Sequence, residues 1–281
     1  MKTIPVIGIP IVNRGDYLLR LFDSIGDFSI GKICIINNGN SKDVAEAIDE
    51  IKNRYESKSE LDIVSPGENW GCAKSWNYIL KKHMNDYVWM AANDVAFRPG
   101  DVEKIYEWQE KDRVENLGKL GTINYTNVGY GFWVINSTHF ERMGTFDENF
   151  YPAYYEDMDY NRRMYLMDQE CQRGVRSENV SMRDIPGVKM IHCNENSEIN
   201  PDKVIDYESS TIHSDPKLKE ANDITFWINL RYYTQKWGGD RRKECWTNPY
   251  GEPENDINFW KIDPELRKEL DVWNNIIFSE K

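Results

Sequence analysis

From Ile4 to Met90 short apolar runs alternate with amphipathic stretches, and that alternation leaves few architectures open to the chain. Ile4 to Pro10 reads as a buried strand, and Asp16 to Ile25 sets Leu18, Leu21, Phe22 and Ile25 on one helical face. Lys32 to Ile36 is a second strand, closed by Asn37-Asn38-Gly39. Ser41 then caps a helix whose apolar stripe runs through Val44, Ile48 and Ile51. Asp62 to Val64 is a short third strand. Gly71 to Lys82 is a helix with Cys72, Trp76, Ile79 and Leu80 inward, and Tyr87 to Met90 is a fourth strand. Strands separated by helices of this length imply right-handed crossovers and a mainly parallel, Rossmann-like α/β sheet flanked by helices. Such sheets bind ligands beyond the carboxyl ends of their strands. Here those ends are Pro10-Ile-Val-Asn-Arg14, Asn37-Asn-Gly39, Ser65-Pro-Gly-Glu-Asn69 and Ala92-Asn-Asp-Val95, all polar or turn-forming.

The second half is less regular. Gly129 to Ile135 reads as a strand, Glu156 to Met167 and Ile224 to Trp237 as helices, and Asp263-Pro264 as a capped helix start. Residues 195 to 220 are the most loop-like part. No repeat or low-complexity linker forces a boundary. The expected organisation is one domain in two halves, 1–100 and 101–220, with a C-terminal helical extension over 221–281. A formal charge of -12 argues against a general affinity for phosphate backbones, though a local basic patch is compatible with it. The five cysteines are widely spaced without a Cys-x-x-Cys pair, which argues against a disulfide framework or a structural zinc site. With no membrane-length apolar run and no signal-peptide pattern, the expected location is the cytoplasm, or a host's cytoplasm if the chain is viral.

Two acidic clusters carry the chemistry. Asp94, in Asn93-Asp94-Val95, follows a buried strand, where a carboxylate can hold Mg²⁺ or Mn²⁺ against a diphosphate. The same residue would also serve as a simple turn or cap. Glu156-Asp157-Met158-Asp159 can supply a general base for an attacking hydroxyl, although acids at a helix start also satisfy the helix dipole. Asp157 is the candidate base, Glu156 the candidate for orienting acceptor hydroxyls, and Asp159 a support for backbone or Arg162. Gly71 stands where a backbone turns sharply or approaches a ligand, and Lys74 on the following turn is within reach of a phosphate. His83 and His139 read as packing or surface residues. His192, ending an apolar run, and His213, in a loop, are candidate metal ligands, each with an ordinary structural role as the alternative. Trp133 is the aromatic placed at an acceptor pocket. Arg231, Lys236, Arg241, Arg242 and Lys243 form a basic stretch that suits either a phosphate-facing patch or a solvated face.

These residues resemble the GT-A-type glycosyltransferases, in particular the large inverting family that contains rhamnosyl- and glucosyltransferases. The likeness runs from Ile7 to about Tyr250. Ile9-Pro-Ile-Val-Asn-Arg14 is similar to that family's opening strand and helix, and Ile35-Ile-Asn-Asn-Gly39 with Asp43 to its base- and ribose-contacting turn. Asn69-Trp-Gly-Cys-Ala-Lys-Ser-Trp-Asn77 is similar to a characteristic segment of the family, and Tyr232-Tyr-Thr-Gln-Lys-Trp-Gly-Gly239 resembles a C-terminal signature of bacterial and viral members. Asn93-Asp94-Val95 occupies the place of the metal-binding Asp-x-Asp, and Glu156-Asp157 that of the acidic pair holding the base. Two departures stand out: Asn93 and Val95 replace the outer acids, and Asn37 stands where Asp often precedes Asn-Gly.

The resemblance implies inverting transfer from a nucleoside-diphosphate sugar, with a UDP-sugar expected, to an acceptor hydroxyl. It places the donor near Pro10, Val12, Asn13, Arg14, Asn37, Asn38, Gly71, Lys74, Asn93 and Asp94. It puts Mn²⁺ or Mg²⁺ at Asp94, completed by His192 or, in reserve, His213. The expected acceptor is a glycan or other saccharide. One rival is a viral enzyme acting on hydroxymethylated bases in DNA, favoured by the basic stretch near Arg241 and the lack of an anchor. Another is a non-catalytic nucleotide-sugar-binding module, suggested by the incomplete Asp-x-Asp. A sugar nucleotidyltransferase would need a Gly-rich basic loop after the first strand, which Pro10-Ile-Val-Asn-Arg-Gly15 does not provide.

Overall fold

The computed structural model describes residues 2–116, 119–177, 179–193, 211–213, 215–271, 274, 277 and 278. Its strands are β1 (Thr3–Ile11), β2 (Ser29–Asn37), β3 (Glu60–Val64), β4 (Tyr87–Ala91), β5 (Val95–Ala96), β6 (Gly121–Thr126), β7 (Gly129–Asn136), β8 (Val180–Asp184) and β9 (Ile191–His192). Its helices are α1 (Gly15–Ile25), α2 (Lys42–Tyr55), α3 (Gly71–His83), α4 (Asp101–Asn116), α5 (Ser137–Met143), α6 (Glu156–Gln172), α7 (Pro216–Trp237) and α8 (Pro264–Leu270). Seven strands form one sheet in the order β3-β2-β1-β4-β7-β6-β8, while β5 and β9 make a separate two-stranded ribbon. β3, β2, β1 and β4 run parallel, and β7 is antiparallel to both of its neighbours. The expected mainly parallel α/β sheet is present.

Side-chain alternation sorts the sheet into two cores. Ile33 and Ile35 of β2 join Leu18, Leu21 and Phe22 of α1, Val44, Ile48 and Ile51 of α2, and Val102 and Ile105 of α4. Cys34 and Ile36 point the other way, into a cluster with Trp76, Ile79 and Leu80 of α3, Tyr160 and Met164 of α6, and Tyr232, Tyr233 and Trp237 of α7. Cys34 is thus the small core residue its setting suggested, and all five cysteines are free. No described helix is long and apolar enough to cross a membrane.

The expected loop over 195–220 lies mostly outside the described residues, but its last part belongs to α7. Asp215 caps that helix by accepting from the amides of Lys217 and Leu218, with Pro216 in the first turn. A fully buried network anchors α7 to the rest. Lys236 Nζ lies 2.8 Å from Asp147 and 2.7 Å from Asp159, all three side chains without solvent exposure. Arg163, not the expected Arg162, completes the neutralisation of Asp159 at 3.0 Å, and the indole of Trp237 donates to the same carboxylate. Burial opposes the charge on Asp159, yet Lys236 and Arg163 outweigh it and hold the carboxyl below its usual range.

Candidate active site

The carboxyl ends of β1, β2 and β4 converge on a cavity of about 110 Å³, lined among others by Pro10, Val12, Asn38, Asn69, Gly71, Cys72, Ala92 and Asn93. Its floor is laid by hydrogen bonds between loops. Asn38 donates to Ser75 Oγ and accepts from the Trp70 amide, tying the end of β2 to the start of α3. Asn93 Nδ2 donates to the carbonyls of Asn13 and Arg14. Asn13 in turn donates to the Thr211 carbonyl. Gly39 packs so tightly that an added Cβ would lie 1.9 Å from the Val12 carbonyl oxygen.

Gly71 joins this cavity to the acidic turn. Its φ is +69°, and a Cβ there would meet the Pro152 carbonyl oxygen at 2.6 Å, while the next amide, of Cys72, donates to that same oxygen at 2.7 Å. Gly71→Ala is therefore expected to cost about 1–3 kcal/mol from backbone strain alone, with the clash at Pro152 adding to it. Urea denaturation and the KM for donor check this. Unchanged values for both would mean that the contact is dispensable.

On the metal side, Asp94, His192 and Cys193 bring an oxygen, a ring nitrogen and a sulfur within 4.8 Å of one another. The ribbon does this, because β5 pairs Val95 with His192 across an antiparallel register. Asp94 Oδ1 is buried without a hydrogen-bond partner among the described residues, and His192 Nε2 lies 3.6 Å from it. The Cys193 thiol donates to Asp94 Oδ2 at 3.5 Å, and its amide donates to the Asp94 carbonyl at 2.8 Å. Arg20 holds the same carbonyl at 2.9 Å. Burial disfavours the charge on Asp94, but His192 and Cys193 outweigh it and keep the carboxyl below its usual range. An orphaned buried oxygen beside imidazole and thiol fits a divalent cation. A second Cys-Asp-His group, Cys34, Asp62 and His83, already holds the ammonium of Lys82 on Asp62 at 2.9 Å. His213 is not in either group.

The acidic turn is strained and held from behind. Tyr154 and Tyr155, immediately before Glu156, have φ of 72° and 73°, in the left-handed region. Asn229 of α7 donates to the carbonyls of Tyr151, Ala153 and Tyr154 at 3.1, 2.9 and 3.2 Å and so clamps the turn. Glu156 is buried with Oε2 unpartnered among the described residues, and burial, followed by the charge of Asp157, pushes its carboxyl well above the usual range. Asp157 is half-buried. Burial raises it as well, against the opposing pull of the Met158 amide and Arg241. Burial and then the charges of Glu156, Asp157 and Asp94 push up the Cys72 thiol. All three carboxylates are thus near enough to Cys72 to bear on its thiol.

Several expected contacts fall elsewhere. Trp133 has no exposed surface: Tyr130, Trp76 and Phe146 cover it, so it cannot meet an acceptor. Tyr130 and Trp76, stacked at 5.8 Å, line the cavity in its place. Lys74 is turned to Glu68 and lies over Trp70, and Arg14 forms a two-pronged pair with Asp16. Neither cation lines the cavity. Asn37 accepts from the Gly39 amide, and Asp43 from the Gly15 amide. The basic stretch also divides: Lys236 is buried, Arg231 pairs with Glu269, and Arg241 and Arg242 remain at the surface. Cys193 and Asn229 escaped the sequence reading, since only a non-local strand pairing and a helix packing bring them to the site.

Comparison with curated proteins gives no match. Among solved structures the chain is similar to S. aureus TarS residues 1–349, with a TM-score of 0.48 and 12% identity over 85% of this chain and 74% of that one. It is also similar to the mannosyltransferase PcManGT from Pyrobaculum calidifontis in complex with GDP-Man and Mn²⁺. There the TM-score is 0.48 and the identity 10%, over 99% of this chain and 72% of that one. Residues 6–171 match the family described as glycosyl transferase family 2, which spans the β1–β4 strand ends, Asp94 and the Glu156-Asp157 turn alike. With more than half its length inside that match and a GT-A sheet to carry it, the chain belongs to glycosyl transferase family 2 and is a glycosyltransferase.

Proposed function

We propose that the chain transfers a sugar from a nucleoside diphosphate, UDP in the first instance, to an acceptor hydroxyl with inversion at the anomeric carbon. The observation that carries this reading is one shared cavity: Asn93, beside Asp94, and Pro152-Ala153, which lead into Glu156-Asp157, line the same pocket. The nucleotide would lie along Pro10, Val12 and Asn38, with its diphosphate directed to Asp94. Asp94, His192 and Cys193 would hold Mn²⁺ or Mg²⁺, which when bound offsets the charge of the departing diphosphate. Asp157 takes the acceptor's hydroxyl proton as the new bond forms on the face opposite the leaving oxygen. Its raised affinity for protons makes it a stronger base than a solvated aspartate. Glu156, held protonated by burial and by its neighbour, donates a hydrogen bond that orients the acceptor. Stacked Tyr130 and Trp76 offer an apolar wall to a sugar ring.

The test is metal-dependent consumption of UDP-sugar, by transfer or by leakage to water, in wild type and in Asp94→Ala. Activity that ignores both chelation and the substitution would remove the reading. The ligand set makes a further expectation. A thiolate favours borderline metals over Mg²⁺. Adding Co²⁺ should give a near-ultraviolet sulfur-to-cobalt charge-transfer band that Cys193→Ser abolishes. Cobalt binding without that band would leave Asp94 and His192 as ligands and exclude Cys193.

A further inference from the structure

Beyond Asp157 the cleft opens into a second cavity, of about 400 Å³, lined by Met158, Asn161, Arg162, Tyr165, Tyr233, Arg241, Arg242 and Glu244. One hydrogen bond ties its wall to that of the first. Asn161 on its wall accepts a hydrogen bond from Tyr130, which lines the donor cavity, at 3.1 Å. Met158 is the next residue after the base, and Arg241 acts on the Asp157 carboxyl itself.

Its charge runs against that of the molecule. The chain as a whole carries a formal -12, yet three guanidinium groups meet here against the single carboxylate of Glu244. That carboxylate accepts from Tyr233 Oη at 2.6 Å, and its single charge cannot balance three guanidinium groups. Arg162 is held in place: it donates to the Trp246 carbonyl at 2.9 Å and lies over the rings of Tyr165 and Trp237. Arg242 sits at φ 65°, a backbone state that side chains beyond glycine seldom adopt. Asp240, the nearest acid in sequence, accepts from the Arg241 amide. Guanidinium groups with open donors are the side chains that recognise phosphate oxygens in pairs.

We propose that this cavity binds a phosphate group of the acceptor, so that the hydroxyl glycosylated at Asp157 belongs to a phosphate-bearing molecule. This rests on the donor reading above, because it places the phosphate on the far side of the base from the nucleotide. A neutral saccharide would leave Arg241 and Arg242 without partners in the loaded site. A phosphate ester one unit from the reacting hydroxyl would engage them while that hydroxyl faces Asp157.

The experiment titrates inorganic phosphate into the full-length protein already saturated with UDP and Mn²⁺, so that the donor site is filled. It compares wild type with the Arg241→Gln/Arg242→Gln double variant by calorimetry. The expected result is phosphate binding that the double variant weakens by about tenfold, comparable to one charge-assisted hydrogen bond. Phosphate binding that the two substitutions do not change, or none in wild type, would overturn the proposal. Failure of UDP itself to bind would instead remove the donor reading. A transfer assay then separates the sources of phosphate, comparing glycerol with glycerol 3-phosphate and 5-hydroxymethyldeoxycytidine with its 5′-monophosphate. In whichever pair is used, the phosphorylated member should be preferred, and the preference should shrink in the double variant. Equal use of the neutral member would count against the cavity.

Discussion

Asp157→Asn is expected to lower kcat by about 10²–10⁴-fold, the usual contribution of a positioned general base, while UDP still binds. The amide keeps the shape and the contact from the Met158 amide at 2.7 Å but can no longer accept a full proton. The acid limb of the wild-type rate profile should lie above the ordinary carboxylate range, because burial raises Asp157 and Glu156 together. As pH falls through that limb the base is protonated and transfer stops. In Glu156→Gln, which replaces an already uncharged group, the limb should stay where burial of Asp157 sets it. Near-normal turnover by Asp157→Asn, measured as UDP release with acceptor present, would reassign the base.

Lys236→Met should destabilise the fold by about 3–5 kcal/mol, the typical cost of removing one partner from a buried ionic group. Asp147 and Asp159 would face each other's charge without the ammonium 2.8 and 2.7 Å away. Urea denaturation reads the loss directly. The pH dependence follows from the sign of the shift. In wild type the Asp159 carboxyl is held below its unfolded value of about 3.9. Its contribution is therefore present above that pH and fades as the pH falls through the folded value. Without Lys236 the carboxyl should rise, and acid unfolding should begin at higher pH. A variant as stable as wild type, with the same acid midpoint, would show the network to be energetically idle.

The first half of the fold was legible because β1, β2 and β4 are largely buried and read as apolar runs, with helices of regular period between the strands. The same reasoning fails for α4, whose buried residues include Asp101, Gln109 and Asp112 beside Val102 and Ile105. β6 hides its identity in the same way. Thr122 and Asn124 are fully enclosed and satisfied by Asp112, Asn136 and Trp108, so no apolar alternation marks the strand. In the candidate site, the acidic turns holding Asp94, Glu156 and Asp157 stand out from local context alone. The directions of Lys74 and Arg14 do not, because short-range pairing with Glu68 and Asp16 turned them aside. Trp133 misled for a different cause: aromatic content cannot distinguish a ring that builds a wall from the ring behind it. The thiol of Cys193 reaches Asp94 only through a strand register across nearly a hundred residues.

The clamp from Asn229 has a consequence for where the enzyme ends as a working unit. The family match stops at residue 171, yet the loop leading into Glu156-Asp157 is suspended from a helix that begins at Pro216. A polypeptide trimmed to the matched segment would retain each acidic group of the cleft and lose the strut that fixes their aim. The acidic cleft and the helix that braces it thus lie on different stretches of the chain.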